Sequence, residues 1–486
     1  MLRRNKRLFT TAIAAGSVYT LDELYWYKVV QRSLRAAGVG AFTVYNYKFV
    51  WSPENASVVN SRVAKAITIC CLENEGLYVK IGQAINSLAA ILPKEYTENL
   101  SRLLDRAKTY EFDIMKEIIE RELGKGVVID LDPVPAGSAS LAQVHKGVLV
   151  ETGQPVAVKV QKPNVSMQAY WDLWMYRLLV RLLEYSFDIP LYWAVEFTTS
   201  HFMAELDFRR EAANSELARE QLAQLGDVVH VPKVLRGTER VLVTEWIEDA
   251  VMISDVKSLR EKGFDCKSVI LDATKIFGYQ VFHTGHVHAD PHFGNLLIRE
   301  NPKRQGKHQV VLIDHGLYVE MPPKLRHEYA RLWVAMMPPT NTNTVREICS
   351  GWGIGNIDLF QSIIRQGGPR NGETEAKSDT KHKNRRDARE TGVLLKSKLQ
   401  ELLQDTSRFP KELILVGRCM NYIRAANWTH GSPIDRVAIL AESAKNSLDA
   451  DDNLQNNGKG WVISGISYLL RLLPGRSSYN KRVDVE

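Results

Sequence analysis

At 486 residues, with 45% hydrophobic and 24% charged side chains, the chain is too apolar to be disordered throughout and long enough for two or three units of about 150 residues. The net charge of +7 is modest, and no dense basic stripe is interleaved with aromatics. Nucleic acid is therefore excluded as a partner, while a phosphate ligand or an anionic membrane surface stays open. The five cysteines, Cys70, Cys71, Cys266, Cys349 and Cys419, show no CxxC spacing and read as reduced thiols rather than disulfides or a zinc site.

The N-terminus, MLRRNKRLFTTAIAAGSVYTLDELYWYKVV, carries Arg3, Arg4, Lys6 and Arg7 before its first acid, Asp22. Ser, Thr and Ala follow, which is the composition of a mitochondrial presequence; a basic helix with no address is the alternative. The apolar run from Leu8 to Leu21 is shorter than the ~20 residues of a spanning helix, and Ala36 to Val44 adds a second short run, so attachment to a membrane stays open.

From Ser61 to Ala107 the periodicity is helical, with a turn at Pro93. The segment KIGQ, Lys80 to Gln83, lies within it. A glycine inside a helix costs about 1 kcal/mol relative to alanine, so Gly82 predicts close approach by another element, and Gln83 beside it predicts a polar neighbour. Cys70 and Cys71 fall in an apolar helical pattern where burial is expected.

The period then changes. ASLAQVHKGVLVETGQPVAVKVQ contains two alternating β-branched runs around Glu151 to Gln154, a hairpin signature. A helix containing MAELDFRREAANSELARE, a strand pair from HVPKVLRGT and RVLVTEWIE, and helices up to His286 follow. A β-rich unit followed by a helical one predicts a two-lobed α+β architecture. The stretch 366–392 is a solvated charged loop, and Trp461 to Pro474 reads as a docking helix, with an interfacial membrane segment as the other reading.

VHADPHFGNLL, from Val287 to Leu297, raises the question of chemistry. Asp290-Pro291 and Gly294-Asn295 are ordinary turn dipeptides, but an aspartate followed five residues later by an asparagine also fits a phosphotransferase catalytic loop. The rest of the chain favours the loop. Lys159 in VAVKV lies on the second hairpin strand, where a lysine can reach phosphates, and Glu211 on the next helix is its candidate partner. Read as one helix, Glu211 shares a face with Asp207 while Glu205 points elsewhere.

Asp314 follows the strand Val310 to Ile313 and precedes His315-Gly316, and a hairpin turning through 301–307 would place Asp290, Asn295 and Asp314 at neighbouring strand ends. That oxygen-rich trio suits magnesium. Instead of a GxGxxG loop, the first strand is entered through PAGSASLAQVH, with Ala136, Gly137, Ser138, Ala139 and Ser140 in the loop; alanine limits the left-handed turns that glycine permits.

KIGQ, ASLAQVH, VAVKVQ, ELDFRREAAN, VHADPHFGN and LIDHG together resemble the UbiB-like, aarF-domain-containing atypical kinases, over roughly Lys65 to Val319. The LIDHG variant looks like the mitochondrial branch, and Gly137 and Ser138 depart from the more uniformly alanine loop of the ubiquinone-biosynthesis members. The resemblance implies a protein-kinase-like fold with a helical extension lying across the site, which would contain Lys80, Gly82 and Gln83 and address Glu205 and Asp207. It implies ATP and magnesium as cofactors, Asp290 and Lys159 as catalytic, and Asn295 and Asp314 on the metal. The nucleotide would be bound by residues 136–140, Val144, Lys159, Glu211 and Glu245.

The expected domains are a targeting or membrane-associated segment 1–50, the extension 51–125, a kinase-like N-lobe 126–248 and a helical C-lobe 249–486. The expected setting is the mitochondrial inner membrane, with a role in lipid or ubiquinone homeostasis. Two other readings stay open: a pseudokinase that uses nucleotide as a structural switch, and a small-molecule kinase of the choline or aminoglycoside type.

Overall fold

The computed structural model describes residues 20–23, 27–86, 92–103, 108–188, 191–365 and 407–456. The basic stretch 1–19, the charged loop 366–392 and the apolar segment 461–474 lie outside the described residues. By compactness the chain forms two units, one of residues 1–206 with 369–401 and one of residues 207–368 with 402–486. This division falls earlier in the chain than the N-lobe end at 248 expected from sequence.

The first unit opens with the helices α1 (Val29–Tyr45), α2 (Ala56–Asn74), α3 (Gly76–Asn86), α4 (Lys94–Leu100) and α5 (Phe112–Leu123). The helical run from Ser61 is broken before Pro93 as well as at it. Glu75 and Gly76 adopt positive φ of 56° and 54°, and Gly76 is the residue that makes such a reversal accessible between α2 and α3. Val59, Val63, Cys70, Cys71, Leu100 and Leu103 form the core of this bundle. A Cβ on Gly82 would stand 2.3 Å from Leu103 Cδ1 and 3.1 Å from Cys71 Sγ, so the glycine is where α3 meets its neighbours. Cys70 and Cys71 are buried free thiols, and burial pushes both upward, Cys70 to about 11.

The strands β1 (Val128–Ile129), β2 (Gly137–Ser138), β3 (Ala142–Leu149) and β4 (Gln154–Gln161) follow. β3 pairs antiparallel with β4, Val144 opposite Lys159, and β2 folds back on β3 with Gly137 opposite Val144. Val156, Val158 and Val160 point to the buried face, while Val144 and Lys159 share the half-exposed one, as a two-residue period requires.

Next come α6 (Val165–Phe187) and α7 (Val195–Ala204). The sequence pattern does not predict α6, because its apolar residues lie on two faces and blur the period. Arg32 of α1 donates to Asp172 of α6 through Nε at 3.1 Å, a buried pair that fixes these two helices. The other apolar face of α6, with Tyr170, Trp171, Trp174, Leu178 and Tyr185, is exposed.

The second unit begins at Asp207, and here one expectation is corrected. MAELDFRREAANSELARE is not a single helix: α7 ends at Ala204 and α8 spans Phe208–Leu222. Asp207 is extended (φ −113°, ψ 102°), and its side chain accepts from the Arg209 amide as the N-cap of α8. Asp207 and Glu211 therefore do not share a helical face, and Glu205 lies in the break between the helices. A capping aspartate competes with helix continuation, which periodicity alone does not reveal.

Beyond α8, β6 (Val234–Gly237) and β7 (Val241–Glu245) form the expected antiparallel pair. A four-stranded sheet has the order β5 (Val229–His230), β11 (His308–Leu312), β10 (Leu296–Glu300), β8 (Val251–Met252). β10 and β11 make the predicted hairpin in register Leu296–Leu312 to Glu300–His308. β9 (His286–His288) pairs with β12 (Tyr318–Glu320). The helices are α9 (Val256–Glu261), α10 (Cys266–Tyr279), α11 (Pro323–Met336), α12 (Thr342–Gly351), α13 (Ile357–Arg365), α14 (Glu412–Thr429) and α15 (Arg436–Asn456). Phe277, Phe282 and Trp333 are fully buried among them.

Candidate active site

The loop after β9 is held by its own polar groups. The Asp290 carbonyl accepts from the His292 amide at 2.8 Å and from Asn295 Nδ2 at 3.0 Å, so the asparagine side chain ties both ends of the loop together. The Asp290 amide donates to His288 Nδ1 at 3.2 Å, which leaves the ring proton on Nε2. Burial drives His288 down to about 3, so the ring is a neutral acceptor at ordinary pH.

Asp314 is placed by the hairpin. The Ile313 amide donates to the Asn295 carbonyl at 3.1 Å, bringing the residue before Asp314 against the one that ends the loop. Asp314 Oδ1 accepts from the Gly316 amide at 3.0 Å, turning the chain sharply. His315 is buried, with Tyr318 Oη at 2.9 Å from Nδ1 and the Leu312 carbonyl at 3.1 Å from Nε2. Since Nε2 must donate to that carbonyl, Nδ1 accepts from the tyrosine. His288, His315 and Tyr318 stack as one buried group.

Glu211 is buried on α8, and its Oε1 lies 3.5 Å from the His315 amide; Asn214, on the same helix, donates to the His315 carbonyl at 3.0 Å. The helix expected to carry the lysine's partner is thus bonded to the Asp314-His315-Gly316 turn. Lys159 belongs to the first unit and Glu211 to the second.

One residue was missed altogether. Arg418 of α14 approaches Asp290 Oδ1 with a guanidinium nitrogen at 2.8 Å, and the two side chains are only 5% and 4% exposed. A lone arginine in an apolar helix carries no local motif, so sequence offered no signal for it.

In the first unit, residues 136–140 form an extended entry to β3 in which none has positive φ, so the alanines fit without strain. The Ala136 amide donates to the Val144 carbonyl and the Ala139 amide to the Ala142 carbonyl, each at 2.8 Å, and Ser138 Oγ donates to the Lys108 carbonyl at 3.1 Å. Ser140 is buried. Lys162, three positions beyond Lys159, is buried and donates to the Ala139 carbonyl at 2.6 Å; burial lowers its ammonium to about 8.

The extension behaves partly as expected. Lys80 Nζ meets Glu205 at 2.9 Å, with both side chains largely buried. The Gln83 amide, however, donates to the Leu103 carbonyl at 2.9 Å, and Asp207 is occupied by Arg209 at 2.8 Å. Of the contacts expected between the extension and the two carboxylates, that of Lys80 with Glu205 is made. Glu245 accepts from His230 at 3.0 Å, which holds its carboxyl below the usual range, and its backbone amide donates to the Lys233 carbonyl.

Among the described residues no group of three or more His, Cys, Asp or Glu could hold a metal ion. Asn295 and Asp314 carry the ligand types that magnesium takes. With its amide nitrogen committed to Asp290, Asn295 presents the oxygen end, and together with a carboxylate that makes two hard donors for an ion whose other ligands are water and phosphate.

The family model for the ABC1 atypical kinase-like domain matches residues 102–349. The chain belongs to the ABC1 family of atypical kinase-like proteins. An ABC1 family protein of Schizosaccharomyces pombe is 33% identical over 451 residues, covering 90% of this chain and 83% of that protein. The AarF domain-containing protein kinase 1 of Gallus gallus is 32% identical over 384 residues, covering 75% and 73%. A protein of Dictyostelium discoideum named "Probable serine/threonine-protein kinase abkD" is 32% identical, covering 88% of this chain and 63% of that one. The α+β, two-lobed kinase-like fold expected from sequence is that of the family. The matched region contains Lys159, Glu211, Asp290, Asn295 and Asp314; Lys80 and Gly82 precede it and Arg418 follows it.

Proposed function

We propose that this ABC1 family chain transfers the γ-phosphoryl group of ATP, with magnesium, to an acceptor at a mitochondrial lipid surface, in lipid or ubiquinone homeostasis. The observation that carries the reading is the bonded arrangement in which Asn295 ties back to the Asp290 carbonyl while the segment leading to Asp314 bonds to Asn295. A plain turn does not need a buried aspartate, an amide tied back to its carbonyl and a second aspartate on the adjoining hairpin, whereas phosphoryl transfer, mostly positioning and charge neutralisation, needs all three.

In the step itself, the acceptor oxygen bonds to the γ-phosphorus as the bond from that phosphorus to the β,γ-bridging oxygen breaks. ADP leaves, and Asp290 orients the acceptor hydroxyl and takes its proton. Lys159, projecting from β4 beside Val144, pairs with nucleotide phosphates. Magnesium, when held by Asn295 and Asp314, supplies charge neutralisation at the phosphate oxygens.

The lipid surface is supported by chemistry at two places. The N-terminal stretch carries Arg3, Arg4, Lys6 and Arg7 without an acid before Asp22. The exposed face of α6 presents Tyr170, Trp171, Trp174 and Tyr185, amphipathic rings suited to the headgroup level, although no described helix is long and apolar enough to cross a membrane. The kinase name of the Dictyostelium relative supports phosphotransfer as the reaction class.

Calorimetric titration with ATP, with and without magnesium, tests the cofactor assignment. Asn295→Ala and Asp314→Ala should each abolish the magnesium-dependent part of ATP affinity. Unchanged magnesium dependence in both variants would overturn it.

A further inference from the structure

We propose that Arg418 of α14 is a positioning residue for Asp290, so that the active site is completed by a helix lying beyond the region matched by the family model. The inference rests on the phosphotransfer reading and deepens it.

Asp290 is buried, with its side chain 4% exposed, and a carboxylate there needs a cation beside it to remain an anion that can orient a hydroxyl. Arg418 supplies one at 2.8 Å from Oδ1. Its guanidinium is charged at every working pH and planar, so it fixes the orientation of the carboxylate as well as its charge. The arginine is itself held in place. It lies on α14 among buried Leu415, Val416, Cys419 and Met420, and its guanidinium carbon is 5.9 Å from the Tyr422 ring centroid one turn on. The Tyr422 ring lies 6.4 Å from that of His292, within the catalytic loop. α14 is anchored at its far end too, where His430 Nε2 donates to the Ile253 carbonyl at 2.7 Å.

A pair serving stability alone would be a poor use of two buried charges, since apolar side chains of similar volume commonly do as well or better. The location separates the two roles. This arginine meets the carboxylate that the reading makes the acceptor's proton-taking group, and it engages Oδ1 of that group. A carboxylate fixed in this way presents its remaining surface in one direction, which is what alignment of an acceptor oxygen with the γ-phosphorus demands. Misplacement by about 1 Å can cost on the order of 100-fold in rate.

The test uses the full chain and steady-state ATP turnover with magnesium, in wild type, Asp290→Asn, Arg418→Gln and Arg418→Lys, each first shown to be folded by thermal melting. Arg418→Gln should lower kcat by about 100-fold with KM for ATP changed less than about threefold, because nucleotide binding does not use Oδ1. Arg418→Lys should recover part of kcat, and added guanidinium ion at millimolar concentration should raise kcat of Arg418→Gln and leave Asp290→Asn unaffected. Should the glutamine variant fail to fold, the lysine variant decides: it keeps the charge and loses the planar geometry, so kcat should fall by about tenfold at constant KM. A kcat within about threefold of wild type in the folded variant, or a loss confined to KM, overturns the proposal alone. Turnover that Asp290→Asn leaves intact overturns the functional reading, and this proposal with it.

Discussion

Replacing Lys80 with alanine removes the cation that faces Glu205 across 2.9 Å, in a pair whose side chains are 14% and 6% exposed. Water cannot compensate the carboxylate left behind, because Glu205 is buried and its Oε1 accepts no hydrogen bond among the described residues. An exposed pair would be worth about 0–1 kcal/mol, whereas removing one partner of a buried pair costs about 3–5 kcal/mol. The residual exposure of Lys80 sets the expected loss at the lower end, about 3 kcal/mol. At about 2–4 °C per kcal/mol for a unit of 150–250 residues, melting should fall by about 6–12 °C. The double variant Lys80→Met with Glu205→Gln should recover most of that loss, since neither charge is then stranded. Circular-dichroism melts of wild type, both single variants and the double variant measure the coupling. A shift below about 2 °C for Lys80→Ala, or a double variant no better than the worse single one, would refute the description of this pair as buried and mutually dependent.

Gly82→Ala separates two opposed effects. On a solvated helix face alanine would add about 1 kcal/mol of stability, but a methyl 2.3 Å from Leu103 Cδ1 overpacks the bundle and should cost about 1–3 kcal/mol, so a melt at or above wild type would show that α3 does not meet Leu103 there. His288 predicts a pH dependence. Its folded value near 3 lies below the ordinary 6.5, so the unfolded chain binds a proton that the folded chain does not, and stability is lost as pH falls below about 6.5. Urea unfolding at pH about 7.5 and about 5.5 should show wild type losing about 1.4 kcal/mol more than His288→Asn between the two, and equal losses would mean that the ring is charged in the fold.

The hairpins were legible because alternation and turn chemistry are local: the Lys159 strand, the β10–β11 pair and the turn between them all stood in the sequence pattern. Gly82 was legible as a close approach because a glycine within a helical period needs a reason. The break at Glu205 to Asp207 was not, since an aspartate that caps a helix and one on its surface look alike in periodicity, and the geometry follows only from the Arg209 amide bond. Of the candidate site, the loop that ties Asn295 to the Asp290 carbonyl and the hairpin that leads to Asp314 stood in the spacing and the flanking strands. Arg418 was not, because it meets Asp290 only through the packing of a helix more than a hundred residues downstream. The same holds for Lys162, whose burial against the Ala139 carbonyl depends on how the loop folds over the hairpin.

The most direct test of phosphotransfer at Asp290 is the release or transfer of the labelled γ-phosphoryl group from ATP by purified wild type and by Asp290→Asn, in the presence of magnesium and of mitochondrial lipids and proteins as acceptors. Phosphotransfer predicts turnover in wild type and its loss in Asp290→Asn by about 100-fold or more, with ATP affinity and melting temperature preserved. Equal turnover in the two proteins, or a wild type that binds ATP and never turns it over, would contradict it, the latter in favour of nucleotide as a structural switch.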